Sequence, residues 1–263
     1  YKDMDVRLRE HTMYTKRYII DLKIRPYFEK KILSEITVAD VRAWQNELLM
    51  YKDKNGKGYS PTYLKTVNCQ LTAIFNYAMR YYNLQDNPCR KAGAIGKSKG
   101  EPKDFWMQEE FNAFLETVSD KPETRMAFLL LYWTGMRIGE MVLLNKADIN
   151  FNERECVVFG KGDKERIVYF DARTKIHLQN YIDSRTDDNP ALFVTLRSPH
   201  ERIKIGGIES RLREMGKQLD IQKVHPHKFR RTLATMAIDK GMPIEQLQQL
   251  LGHKRIDTTL QYA

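Results

Sequence analysis

From residue 12 onward the apolar positions of the chain recur every three or four residues, the period of one face of a helix and not of a strand. Tyr14, Tyr18 and Leu22 follow Thr12 at four-residue spacing. Thr37-Val-Ala-Asp40 has the form of a capping box and opens a helix carrying Val41, Trp44, Leu48 and Leu49. Ser60-Pro61 pairs an N-cap with a proline at the first helical position. Val67, Leu71, Ile74, Phe75 and Ala78 then make a stripe, read as core packing, that runs to Tyr82 and stops by Asn87-Pro88. Residues 1–91 are therefore expected to form a helical domain.

The rhythm is lost in residues 92–104, AGAIGKSKGEPKD. Three glycines, a proline and three lysines mark this stretch as a basic linker. Beyond it the pattern mixes helix with a little strand over residues 105–263. Helices are expected at Phe105 to Val118, Thr124 to Thr134, Thr174 to Ser184, Ile208 to Leu219, Phe229 to Lys240 and Pro243 to Leu251, the last closed by Gly252. Cys156-Val-Val-Phe159 and Arg166-Ile-Val-Tyr-Phe170, joined through Gly160-Lys-Gly162, read as a β-hairpin with a lysine-rich turn. The fold class is mainly α with a small β-hairpin, an α+β chain of two domains.

Composition narrows the function. Hydrophobic residues make up 42% of the 263, enough to bury a core and to exclude a disordered tail. Lys and Arg number 44 against 34 Asp and Glu, and the net charge of +10 favours a polyanionic partner. Cys69, Cys89 and Cys156 are odd in number and widely spaced, so they are read as small buried hydrophobes in a reducing compartment, not as disulfides or zinc ligands. No apolar run approaches the roughly 18 residues that span a bilayer. The chain begins at Tyr1 and not at Met, so an N-terminal piece is expected to precede it.

Four short segments of the second domain concentrate basic, imidazole and phenol groups. They are Thr134-Gly-Met-Arg137-Ile-Gly-Glu140, Gly160-Lys161-Gly162, His227-Lys-Phe-Arg230 and Leu251-Gly-His253 with Tyr262 nine residues on. Each alone has an ordinary explanation as a salt bridge, an exposed turn, a cap or packing. Together, in this order and with the letters TGMRIGE, GKGDKER, HKFRRTLAT and LGHKRIDTTLQYA around them, they resemble the tyrosine recombinase (phage integrase) family, most closely the integrases of conjugative transposons.

The resemblance implies a helical, SAM-like core-binding domain followed by a catalytic domain. It implies a catalytic set of Arg137, Lys161, His227, Arg230, His253 and the nucleophile Tyr262. Two departures stand out: Arg231 occupies a position that is commonly His, and the tail that normally follows the tyrosine is not in this sequence. The implied reaction cleaves and religates DNA through a covalent 3′-phosphotyrosyl link, with no metal, ATP or other cofactor. The implied partners are double-stranded DNA, other copies of the chain (a dimer on one site, a tetramer in synapsis) and an accessory excision or bending factor. A cytoplasmic, bacterial protein without a membrane partner is expected.

The residue types suit that chemistry. Arginine offers a planar, permanently charged fork to the nonbridging oxygens of a phosphodiester. His253, and His227 with it, can add hydrogen bonds as charge builds in the transition state. A phenol does not ionise readily near neutral pH, so Tyr262 needs help to lose its proton: His227 is the candidate base, and the field of the arginines is the alternative. By resemblance Lys161 protonates the leaving 5′-oxygen, with Lys164 as its rival. Glu140, one helical turn from Arg137, is read as orienting a basic neighbour. Ser60, Lys65, Lys97, Lys99, Lys103, Lys228 and Arg255 are candidate phosphate contacts in a clamp of two domains around a duplex. The competing readings are a chromosome-dimer-resolving recombinase, a type IB topoisomerase and a non-cutting DNA-binding regulator. A metal-dependent nuclease or transposase is disfavoured, because no acidic cluster stands out in this sequence at metal-ligand spacing.

Overall fold

The computed structural model describes residues 2–8, 10–97, 104–160, 165–221 and 224–262. The chain forms two compact units, Tyr1–Glu101 and Pro102–Ala263. None of the described helices is long and apolar enough to cross a membrane.

The first unit is helical: α1 (Lys2–Asp5), α2 (Glu10–Ile19), α3 (Arg25–Phe28), α4 (Val38–Met50), α5 (Pro61–Tyr81) and α6 (Pro88–Ala92). The expected caps are present. Thr37 Oγ1 accepts from the Asp40 N–H at 3.2 Å, Asp40 Oδ2 accepts from the Thr37 N–H at 2.9 Å, and Ser60 Oγ accepts from the Tyr63 N–H at 3.2 Å. Val41, Trp44, Leu64, Val67, Leu71 and Phe75 form the heart of its core.

Two features differ from the pattern reading. Tyr14, Tyr18 and Leu22 lie on the outside, 67%, 52% and 51% exposed, while Met13, Ile19 and Ile24 are buried. A π-helical turn, Ile20–Ile24, separates α2 from α3. Its wider i→i+5 repeat brings Ile19 and Ile24, five residues apart, to one side, which a four-residue count does not register. Asn87-Pro88 begins a helix and does not end one: α5 stops at Tyr81, Asn83 follows in the left-handed region at φ 54°, and Asn87 Oδ1 then caps α6 by accepting from the Cys89 N–H. Of the cysteines, Cys89 and Cys156 are buried and Cys69 is exposed. Burial pushes the two thiols up, to about 11 and about 12.

Part of the basic segment 92–104 is held against this unit. Gln45 Nε2 donates to the Gly93 carbonyl at 2.8 Å, and Ile95 packs on the core. Gly96, at φ +77°, lies so close to α5 that a Cβ would stand 2.1 Å from the Pro61 carbonyl oxygen and 2.6 Å from the Lys65 nitrogen.

The second unit contains α7 (Gln108–Glu116), α8 (Pro122–Thr134), α9 (Ile138–Met141), strands β1 (Ile149–Asn150), β2 (Glu155–Phe159) and β3 (Glu165–Tyr169), then α10 (Ala172–Asp183), α11 (Ile205–Gln218), α12 (Pro226–Asp239), α13 (Ile244–Leu251) and α14 (Ile256–Thr259). The sheet is antiparallel in the order β1-β2-β3, with Val157 opposite Ile167 and Cys156 opposite Val168. Strand β1, two residues long, is too short to show a period of its own. Phe105 to Met107 precede the helix in place of joining it. The Trp106 backbone N–H donates to Thr232 Oγ1 at 2.8 Å, which draws the indole into a cluster with Phe111, Phe114 and Phe229. The middle of α8 is buried from Met126 through Tyr132 and packs against α10 and α12, so α12 is fixed on the core through Phe229.

Gly96→Ala should lower the stability of the first unit by about 2 kcal/mol or more, since it adds a collision to an unfavourable φ. Gly56→Ala, also at positive φ but with nothing within 4 Å of its Cβ, should cost about 1 kcal/mol or less. Equal urea midpoints for the two variants would remove the close approach from the account.

Candidate active site

Three arginines of the second unit meet at one end of α13. The last turn of a helix leaves carbonyls without intrahelical partners, and here each of three successive carbonyls accepts from a different guanidinium. Arg166 Nη1 donates to Leu250 O at 3.0 Å, Arg230 Nη2 to Leu251 O, and Arg137 Nη2 to Gly252 O at 3.4 Å. Gly252 is the left-handed C-cap expected from the sequence, at φ 62° and ψ 47°. Its missing side chain also makes room for Arg166, whose Cδ would lie 2.6 Å from a Cβ there.

A second tie comes from Glu140, which is 4% exposed. Its Oε1 accepts from Arg137 Nη1 at 2.8 Å, and its Oε2 from Arg166 Nη2 at 2.6 Å and from the Arg137 backbone N–H at 2.8 Å. One carboxylate thus caps α9 and orients two guanidinium groups. Burial would raise its pKa, but the Arg137 N–H and the charges of Arg166 and Arg137 outweigh burial and hold it below the ordinary value. Arg230 is anchored by a further bond, Nη1 to Gly135 O at 2.8 Å. Gly135 ends α8 at φ 59°, where a Cβ would stand 2.5 Å from Leu233 Cδ2. Burial, then repulsion from Arg137 and Arg166, lowers the Arg230 pKa to about 10, so the group remains a cation at neutral pH.

The histidines feel the same field. His227, in the first turn of α12, has its pKa lowered by the protein packed around it and then by Arg230, Arg231 and Arg137. His253 follows Gly252, and burial, then Arg230, Arg137 and Arg166, brings it down to about 4. Both rings are neutral at neutral pH. His253 Nδ1 lies 2.9 Å from Thr259 Oγ1, and its ring is nearly parallel to that of Tyr262, with centroids 5.9 Å apart and planes 11° apart. Tyr262 is partly buried on Ala234, Ala237, Leu247 and Leu251 of α12 and α13, near enough to Arg230 to act on its charge.

Five of the six residues expected to act together, Arg137, His227, Arg230, His253 and Tyr262, therefore share one electrostatic cluster. Lys161, and Lys164 beside it, lie outside the described residues, as do Lys99 and Lys103. The reading of Lys228 as a phosphate contact is corrected. Its side chain is 1% exposed, its ammonium lies 3.0 Å from Asp104 Oδ2 and 3.5 Å from Glu110 Oε1, and it sits 4.0 Å from the Trp106 ring centre. A lysine whose charge is met by two carboxylates holds the start of the unit to α12 and is not left to pair with a phosphate. Ser60 is engaged as the cap of α5, Lys65 and Lys97 are exposed, and Arg255 is exposed and paired with Asp257 at 2.7 Å. Arg166 was missed by the sequence reading, although a signal for it existed. It pairs with Val158 and shares the inward parity of Val168, where strand alternation expects an apolar residue.

Comparison with known proteins follows the same division. The phage integrase family model matches residues 107–263, and the model of the phage integrase N-terminal SAM-like domain matches residues 1–49. Tyrosine recombinase XerA of Pyrococcus furiosus is 32% identical over 245 residues, 92% of this chain and 82% of the relative. Tyrosine recombinase XerC of Staphylococcus aureus is 34% identical over 167 residues, 60% of this chain and 55% of the relative. Among solved structures, the Tn1549 transposon integrase in complex with a circular intermediate DNA superposes with a TM-score of 0.77 at 19% identity, covering 99% of this chain and 92% of that one. A lambda integrase dimer bound to a COC′ core site gives 0.79 at 19% identity, covering 99% and 74%.

The neutral histidines set a pH dependence. An unfolded histidine takes up its proton near 6.5 and folded His253 near 4, so between these values the unfolded chain binds more protons. Stability should therefore fall as pH drops from about 6.5 to about 4, by on the order of 1 kcal/mol for this ring once partial exposure is allowed for. His253→Gln should flatten the dependence of the urea midpoint on pH over that window, and an unchanged slope would contradict the assignment.

Proposed function

The chain belongs to the phage integrase family and is a DNA-cutting and rejoining enzyme, a site-specific tyrosine recombinase, and we propose that Tyr262 is its nucleophile. The observation that carries this reading is the Arg137–Arg230 pair, fixed in orientation before any substrate arrives and adjoined by Tyr262 and His253.

The scissile phosphate is bound by the guanidinium groups of Arg137 and Arg230, with His253 adding a hydrogen bond. His227, a neutral imidazole, accepts the phenol proton as the Tyr262 oxygen bonds to phosphorus. The bond from phosphorus to the 5′-oxygen breaks, and that oxygen takes a proton from Lys161. The 3′-phosphotyrosyl ester keeps the energy of the broken bond, and a 5′-hydroxyl of another strand reverses the step. Glu140, itself bound by Arg166, holds Arg137, and the Gly135 and Leu251 carbonyls hold Arg230; neither Glu140 nor Arg166 touches the substrate.

The substrate is double-stranded DNA, contacted through phosphates by Ser60, Lys65, Lys97, Lys99, Lys103 and Arg255, the last after release from Asp257. Strand exchange uses a dimer on each site and a tetramer in synapsis, with an accessory bending or excision factor, in the bacterial nucleoid. The biological reaction is integration and excision of a mobile element, supported by the likeness of fold to the Tn1549 integrase over 99% of the chain. A second reading, a recombinase of the Xer kind, draws support from the higher identities to XerA and XerC. Joining of a circular element to a target site in a two-plasmid assay favours the first reading, and resolution of two directly repeated chromosomal sites alone favours the second.

A duplex nicked beside the cleavage site should trap a covalent protein–DNA adduct with the unaltered chain and none with Tyr262→Phe. An adduct with the phenylalanine variant would end the assignment. Arg137→Lys should keep DNA affinity but slow cleavage by about 100-fold, because a point charge replaces a fork. Cleavage at the unaltered rate would remove the role given to the guanidinium plane.

A further inference from the structure

Thr259 is fully buried, and its hydroxyl lies 2.9 Å from Nδ1 of His253. Other threonines show what a hydroxyl on a helix ordinarily does. Those of Thr66, Thr72, Thr134 and Thr232 each donate to the carbonyl four residues back. Thr259 departs from this habit, and among the described residues the partner of its hydroxyl is the imidazole nitrogen.

That single contact decides where the ring proton sits. A hydroxyl carries one hydrogen, and a buried donor left without an acceptor is costly. Were the proton on Nδ1, that N–H would occupy a lone pair of the hydroxyl and leave the hydroxyl's own hydrogen unbonded. With Nδ1 bare, the O–H donates to it and both groups are satisfied. The one proton of a neutral ring then belongs to Nε2, the nitrogen Thr259 does not engage.

We propose that Thr259 is a positioning residue that holds His253 in the Nε2–H tautomer, so that a neutral imidazole presents a hydrogen-bond donor to the scissile phosphate. The part played by the phosphate rests on the function proposed above, whereas the tautomer belongs to the free protein. The cation cluster explains why such a device is needed. An imidazolium would donate from both nitrogens unaided, but burial and the three arginines keep the ring neutral at physiological pH. A neutral ring in the other tautomer would turn a lone pair toward a phosphate oxygen and repel it.

The intact chain labelled with nitrogen-15 at histidine, observed by NMR at pH 7, reads the tautomer directly. His253 Nδ1 should resonate as an unprotonated nitrogen and Nε2 as a protonated one. In Thr259→Val, which keeps the shape and loses the hydroxyl, the two shifts should move together as the tautomers mix. The same variant should cleave nicked DNA about 10- to 100-fold more slowly with affinity within about twofold, and Thr259→Ser should recover most of the rate. A protonated Nδ1 in the unaltered protein, unmoved shifts in the valine variant, or cleavage by that variant at the unaltered rate would each overturn the proposal. Failure of the unaltered protein to form any adduct would overturn the strand-transfer reading instead, while the nitrogen shifts still decide the tautomer.

Discussion

The C-terminal carbonyls of α13 are the point on which the candidate site depends. A helix ends with unpaired acceptors and about half a negative charge, and in this chain Arg166, Arg230 and Arg137 take three successive carbonyls. Three guanidinium groups in one place would otherwise repel one another. The helix end and the Glu140 carboxylate offset about half of that charge and leave a residue of about +1.5. Such a residue of charge suits a phosphodiester monoanion that gains charge in the transition state. It is held by groups that are fixed before the substrate arrives, the condition under which electrostatic stabilisation is most effective.

The fixing is local in sequence and global in packing. Gly135 and Gly252 end α8 and α13 in left-handed conformations, and each also makes room for a neighbour, Leu233 in one case and Arg166 in the other. Arg137 follows the first glycine by two residues, so its direction is set by a chain reversal and by the Glu140 cap of α9. Arg230 stands next to Phe229 on α12, and Phe229 packs among Trp106, Phe111 and Phe128. The apolar core beneath therefore limits the movement of the cations above it.

Much of this was legible in the sequence because the signals are short-range. The Thr37–Asp40 capping box, the Ser60 cap, the α5 stripe, the β2–β3 hairpin and the Gly252 cap each depend on residues within one or two turns, and all are present in the structure. The six residues proposed as the catalytic set stood out through their order and surrounding letters, and the structure brings five of them, all but Lys161, into one cluster. What escaped depends on contacts between elements. Lys228 looks like any other lysine until Asp104, Glu110 and Trp106 are seen to enclose it. Tyr14, Tyr18 and Leu22 keep a helical period, but the side that is buried carries Met13, Ile19 and Ile24, the last two brought together by the π turn. Arg166 was visible only as the wrong kind of residue at an inward strand position, and its partners Glu140 and Leu250 are 26 and 84 residues away.

The same helix joins the cations to the proposed nucleophile. The end of α13 holds the arginines, and its apolar side, Leu247 and Leu251, receives the ring of Tyr262. Between the two, Gly252 reverses the chain and delivers His253, whose ring faces the tyrosine and whose Nδ1 is tied to Thr259 in the short helix that carries the chain to Tyr262. A displacement of α13 would therefore disturb the arginine forks, the neutral histidine and the phenol together. Anything that moves this helix can switch the site as a unit, because the charge proposed to receive the phosphate and the group proposed to attack it share one support.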